Sequence, residues 1–133
     1  MFDPTTRVLI VDDMMTMRKI VSRVCGELGF TDLTLAADGA LGFQALCDAR
    51  PPIGLVISDW TMPNCTGLDL LKRVRGDKRF SKVPFLMVTA ESEKAQIMEA
   101  LTAGVSDYVI KPFTSEGLGA KIKNAYDKML KAA

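Results

Sequence analysis

The chain has 133 residues, with 17 basic against 16 acidic side chains and a net charge of +1. That balance gives no global attraction to nucleic acid or an anionic membrane, and 48% apolar residues mark a folded chain rather than a disordered one. No histidine is present, so any imidazole base or phosphohistidine must come from a partner. Cys25, Cys47 and Cys65 form no Cys-x-x-Cys pair, which argues against a zinc site and a disulfide framework and points to the reducing cytoplasm. The first apolar run is too short for a signal peptide, and none is long enough to span a membrane.

In chain order, the first apolar run is Val8-Leu9-Ile10-Val11, and its brevity suits a buried strand. Ile20, Val21, Val24, Cys25 and Leu28 then share a helical face, with Gly29 placed for a left-handed cap. Leu33 to Ala36 is more mixed and suits an edge strand. Leu41, Ala45, Leu46 and Ala49 predict a second helix, stopped by Pro51-Pro52. Leu55-Val56-Ile57 is a third strand, and Leu68, Leu71 and Val74 mark a third helix. Phe85 to Val88 is a fourth strand. Ile97, Met98 and Leu101 predict a fourth helix ending near Gly104. Tyr108-Val109-Ile110 is a fifth strand, and Leu118, Ile122, Ala125, Tyr126 and Met129 mark a fifth helix. Strands alternating with helices predict one doubly wound α/β domain over residues 1–133.

The polar residues fall where those strands end. The first run ends in Asp12-Asp13, the third in Asp59, the fourth in Thr89 and the fifth in Lys111-Pro112. Parallel strands deliver all of these to one rim, the carboxyl edge where open α/β sheets bind ligands. With strand order 2-1-3-4-5 the first and third strands are neighbours, and their aspartates meet. Two such charges about 5 Å apart repel by roughly 3 kcal/mol at an effective dielectric of ~20. A cation or a raised pKa must relieve them. Oxygen-only ligands with an open side suit Mg²⁺. Lys111 adds a positive charge and Thr89 a hydroxyl, so the set suits a phosphoryl group and a carboxylate nucleophile. Taken singly, Asp12-Asp13 reads as a helix cap, Asp59 as a turn residue, Thr89 as a cap and Lys111 as a solvated charge. Their joint occurrence at four strand ends favours the site. Met14, Met15 and Met17 include core filler, with a Met-rich groove as the lesser reading, and Lys121, Lys123, Lys128 and Lys131 read as a solvated helix face, with an acidic-partner site as the lesser reading.

Val11-Asp12-Asp13, Asp59 followed by Met62-Pro63 and Gly67, Thr89-Ala90 and Lys111-Pro112-Phe113 together resemble the receiver domain of two-component response regulators. Thr16-Met17-Arg18, Trp60 and Tyr108 narrow the resemblance to single-domain chemotaxis regulators of the CheY type, without a separate output domain. The resemblance implies a flavodoxin-like (βα)5 fold and a monomeric cytoplasmic signalling protein rather than an enzyme. Asp59 would accept a phosphoryl group from a sensor histidine kinase. Asp13 and Asp59 would ligate Mg²⁺ directly, Asp12 through water and Thr61 through its backbone carbonyl. Thr89 and Lys111 would contact the phosphoryl oxygens, Tyr108 would move inward with Thr89, and the Lys111-Pro112 bond would be cis. The implied partners are that kinase, a phosphatase and a downstream target such as the flagellar motor switch, with no nucleic acid and no membrane.

Thr61 stands where motility-type members carry Asn, and Met14 where many carry an aromatic residue. Thr61 and Glu91 flank the expected phosphoryl site and would set the lifetime of that group. Gly117 and Gly119 would loosen the start of the fifth helix. Three other readings compete: a receiver serving as a phosphate sink or regulator of a non-chemotaxis pathway, a haloacid-dehalogenase-type aspartyl-phosphate phosphatase, and a receiver fold that works purely by binding, without phosphorylation. The second needs an Asp where this chain has Thr61.

Overall fold

A computed structural model describes residues 3–62, 65–89 and 94–132, and only the backbone of Lys94, Leu130 and Ala132. Pro63, Ala90 and Glu91 lie outside the described residues. Five strands, β1 (Arg7–Val11), β2 (Asp32–Ala36), β3 (Ile53–Asp59), β4 (Phe85–Thr89) and β5 (Asp107–Ile110), alternate with five helices. These are α1 (Met15–Glu27), α2 (Gly39–Asp48), α3 (Gly67–Gly76), α4 (Lys94–Ala103) and α5 (Ser115–Ala132). The sheet is parallel throughout, in the order β2-β1-β3-β4-β5, as the sequence predicts. The mixed β2 lies at one edge.

Side chains alternate across the sheet and feed two apolar layers. Val8, Ile10, Leu55, Ile57, Leu86 and Val88 face Val21, Val24 and Cys25 of α1 and Leu118 and Ile122 of α5. Leu9, Val11, Val56, Phe85 and Met87 face Leu46 of α2, Leu70, Leu71 and Val74 of α3 and Ala100 of α4. Each fully buried aliphatic side chain contributes about 1.5–3 kcal/mol over its exposed state. Both faces of the central strands are therefore dry, which explains why their sequences read as unbroken apolar runs. Among the described residues no helix is long and apolar enough to cross a membrane.

Glycines end two helices as expected: Gly29 follows α1 at φ 100° and Gly104 follows α4 at φ 95°, both in the left-handed region. Two predicted helix faces are corrected in part, since Ala45, Leu46 and Ala49 of the α2 reading do pack on the core. In α2, Leu41 is 53% exposed and Ala49 lies beyond the last turn, while Gly39, Gly42 and Leu46 face the core. A Cβ on Gly42 would sit 3.0 Å from Val11 Cγ2, so the helix packs through its missing side chains. Glycine has no hydropathy signal, so the apolar periodicity finds Ala45, Leu46 and Ala49 on the core side but not the two glycines, and misplaces Leu41. In α4, Met98 and Leu101 are exposed and the small Ala100 is buried. At the start of α1, Met14 and Met15 are exposed too, so only Met17 serves as core filler. Gly119 does not interrupt α5: a Cβ there would meet Leu28 Cδ2 at 3.3 Å, a close approach between α5 and the end of α1.

Candidate functional site

The carboxyl ends of β1, β3, β4 and β5 converge as predicted, and the reason is register. Val11 of β1 lies opposite Ser58 of β3, so the residues that follow each, Asp12 and Asp59, emerge side by side. Oxygens of Asp12, Asp13 and Asp59 lie within 4.8 Å of one another. Asp12 and Asp59 are buried, at 3% and 6% exposure, whereas Asp13 opens to solvent. Lys111 crosses from the end of β5 to place its Nζ 3.0 Å from Asp59 Oδ1. The Lys111 N–H donates to the Thr89 carbonyl at 2.7 Å, which ties the ends of β4 and β5 together, and the Lys111-Pro112 peptide is cis. Thr89 is buried at the end of β4. Thr61 is exposed two residues beyond Asp59.

Asp12 is not a helix cap. Its Oδ1 accepts from the Met14 N–H at 2.9 Å, and Met14 itself holds the cap position of α1 without a side-chain bond. Sequence reasoning gave Arg18 no task beyond the resemblance. Its Nη1 donates to the Asp12 carbonyl at 2.6 Å, which fixes the acidic loop from one turn inside α1. The only sequence signal is a basic residue placed six positions after a strand-end acid. Gly67, carried into the motif on resemblance alone, acquires a physical reason: its N–H donates to the Trp60 carbonyl at 2.8 Å, and it leaves no room for a side chain beside Asp59.

Burial pushes the Asp12 carboxyl up to about 6, helped by Asp59 and Asp13 and opposed by the Met14 amide and Lys111. Burial likewise raises Asp59, and Lys111 pulls it back. Crowded, partly desolvated carboxylates with an open side and no nitrogen or sulfur donors fit Mg²⁺, which keeps several waters. A pH dependence follows. Asp12 holds its proton more tightly folded than unfolded, so its contribution favours the metal-free fold below about 4 and is lost as pH rises through about 6. Mg²⁺ needs the ionised form and runs the opposite way. Its affinity is expected to fall as pH drops through 6 while the Asp12 contribution to metal-free stability rises. Titration at several pH values checks this, and an affinity flat from pH 7 to 5 (about one unit either side of the raised value) would contradict it.

Tyr108 is half-buried on β5, with Lys121 Nζ 5.2 Å from its ring centroid. Met87 pairs with Tyr108 and Thr89 with Ile110, so Thr89 and Tyr108 are diagonal neighbours on one face of the sheet. That places the predicted switch pair within reach of each other.

The chain is similar to known proteins over most of its length. The chain is 43% identical over 123 residues to the chemotaxis protein CheY of Pseudomonas aeruginosa, covering 92% of this chain and 98% of that one. It is 42% identical over 117 residues to chemotaxis protein CheY1 of Helicobacter pylori, covering 88% and 94%. The crystal structure of chemotaxis response regulator CheY4 of Vibrio cholerae superposes with a TM-score of 0.83 at 30% identity, covering 91% of this chain and 98% of that one. A family model described as response regulator receiver domain matches residues 8–123. With its five-stranded order and its strand-end acids beside a lysine, this chain belongs to the response regulator receiver domain family.

Proposed function

We propose that this chain is a phosphorylation-activated signalling switch in which Asp59 accepts a phosphoryl group from a separate histidine kinase. The observation that carries this reading is the convergence of Asp12, Asp13 and Asp59 within 4.8 Å, with Lys111 Nζ 3.0 Å from Asp59. Asp13 and Asp59 would hold Mg²⁺ through their carboxylates, Asp12 through water and Thr61 through its carbonyl, and the ion would neutralise charge on the carboxylates and phosphoryl oxygens. An Asp59 oxygen attacks phosphorus, the phosphorus–nitrogen bond to the donor imidazole breaks, and the acyl phosphate forms on this chain. Before transfer, Lys111 holds the attacking carboxylate in place. Afterwards its ammonium moves to a phosphoryl oxygen, and the Thr89 hydroxyl moves toward another.

Phosphorylation adds charge and acceptor oxygens that Thr89 and Lys111 meet only when their loops shift inward. Tyr108, the diagonal neighbour of Thr89, follows that shift and alters the surface of α4, β5 and α5. The new contacts bias a pre-existing equilibrium toward the partner-binding form. The chemistry is confined to the chain's own phosphoryl group, with Thr61 and Glu91 tuning its lifetime. The CheY relatives support a place in chemotaxis, working as a cytoplasmic monomer between a kinase, a phosphatase and a target such as the flagellar motor. Binding of the phosphorylated and unmodified forms to the motor-switch protein of the same cell tests this. The phosphorylated form is expected to bind at least about tenfold more tightly, a coupling of about 1.4 kcal/mol. Equal affinity would remove the switch. No binding by either form would favour the phosphate-sink role.

A further inference from the structure

The end of the sheet opposite the acidic site carries a second concentration of charge. From Lys72 to Lys82 the sequence reads KRVRGDKRFSK, with six basic residues against the single acid Asp77, in a chain whose net charge is only +1. The segment is the end of α3 and the turn into β4. It borders two adjoining clefts of about 230 and 500 Å³ at the amino-terminal ends of β3, β4 and β5. The five residues of β4 separate this end from Thr89 by about 16 Å. Arg75, Lys82 and Lys128 line the smaller cleft with Ser81 and Ser106, and Lys78 and Arg79 join the larger one. Among the described residues no acidic one lines either cleft.

Most of these cations have no carboxylate partner. Arg79 is paired with Asp77 at 2.9 Å, but among the described residues no carboxylate lies within ion-pair distance of Arg75, Lys78, Lys82 or Lys128. Arg75 is half-buried. Its Nε donates to the Gly104 carbonyl at 2.8 Å and its Nη1 to the Val83 carbonyl at 2.7 Å, with longer contacts to Phe80 and Ser81. Its Nη2 group has no hydrogen bond to a described residue. Desolvation holds its pKa below the ordinary value. Lys128 gives one ammonium proton to the Ser106 carbonyl, and two remain. The Ser106 Oγ accepts from the Phe85 N–H at 3.0 Å, which leaves its own proton to donate. Free donors and unpaired positive charge thus meet in a walled cleft.

We propose that this cleft, lined by Arg75, Lys82, Lys128 and Ser106, binds a compact polyphosphate-bearing small molecule, at a site separate from Asp59. Two features favour that class over an acidic peptide. The smaller cleft lies between Arg75 of α3, the turns before β4 and β5, and Lys128 of α5, and at about 230 Å³ it is sized for a few phosphate groups rather than an extended chain. A di- or triphosphate also places several charges within the span of one arginine fork and two ammonium groups. Arg75 clamps the carbonyl of Gly104, the residue that ends α4, so an anion drawn to its Nη2 would bear on the C-terminal end of α4.

The test is a titration of ¹⁵N-labelled full-length protein with inorganic triphosphate, without Mg²⁺, at about 150 mM salt, where exposed charges are largely screened. Saturable shifts are expected at the amides of Ser81, Lys82, Gly104 and Ser106, with half-saturation below about 1 mM. The double variant Lys82→Glu, Lys128→Glu is expected to weaken binding at least about tenfold. Should it fold poorly, the milder Lys82→Gln, Lys128→Gln pair serves, and the amide map stands without either. Shifts confined to the Asp59 and Lys111 loops, unchanged affinity in a folded variant, or tighter binding of a poly-glutamate peptide would each overturn the proposal.

Discussion

Replacing Gly67 by Ala is expected to damage both the fold and the site, at a cost of about 1–3 kcal/mol from overpacking. A Cβ at position 67 would stand 2.1 Å from the Asp59 carbonyl oxygen, 3.0 Å from its carbonyl carbon and 2.8 Å from Met87 Sδ. The methionine tip can move. The carbonyl cannot, because it belongs to the last residue of β3, whose register with Val88 sets where the acidic side chain points. Relief therefore requires α3 to back away from the strand, breaking the bond from the Gly67 N–H to the Trp60 carbonyl. Urea unfolding should show a lower midpoint at an unchanged slope, and phosphorylation by acetyl phosphate should slow. A midpoint equal to the parent would mean that α3 is not held against β3 as tightly as these distances require.

Asp13→Ala is expected to act in two directions at once. Mg²⁺ affinity should be lost, because the exposed side of the acidic cluster loses its carboxylate. Metal-free stability should rise by about 1 kcal/mol, the Coulomb repulsion among neighbouring carboxylates discounted for the solvent around Asp13. Asp13 raises both Asp12 and Asp59, so its removal should let both ionise more easily. Functional sites commonly hold this kind of stored repulsion, and the ligand offsets it. Thermal melts with and without Mg²⁺ separate the two effects: the parent should gain stability from the ion and the variant should not. A variant clearly less stable than the parent without metal would contradict the crowded-acid account.

The legible parts of this molecule were those written in large apolar side chains and in polar residues at strand ends. β1, β3 and β4 are buried on both faces, so their sequences are unbroken apolar runs. The order of acids, threonine and lysine along the chain, joined to the parallel topology, was enough to assemble the rim. Contacts made by what a residue lacks were hidden. Gly39 and Gly42 share the core face of α2 with Leu46, and Ala100 is the buried residue of α4, so a reading by apolar side chains places Ala45, Leu46 and Ala49 correctly but misplaces Leu41, Met98 and Leu101. The Arg18 bond to the Asp12 carbonyl depends on a side chain reaching back to a backbone atom, for which residue type alone gives no cue. The cis bond at Pro112 came from resemblance, and the second one, Arg50-Pro51, was not anticipated. Local composition cannot signal either.

The central claim is that Asp59 is the phosphoacceptor of a metal-assisted switch, and Trp60 is its reporter. It is the only tryptophan, follows Asp59 directly, is half-buried, and is fixed by bonds to the Val88 carbonyl at 2.9 Å and from the Gly67 N–H at 2.8 Å. The measurement is its fluorescence as Mg²⁺ and then acetyl phosphate are added, with Asp59→Asn alongside. Two successive changes are expected, with the phosphodonor step absent from the variant. An identical phosphodonor step in Asp59→Asn, or no response to either addition in the parent, would contradict the account.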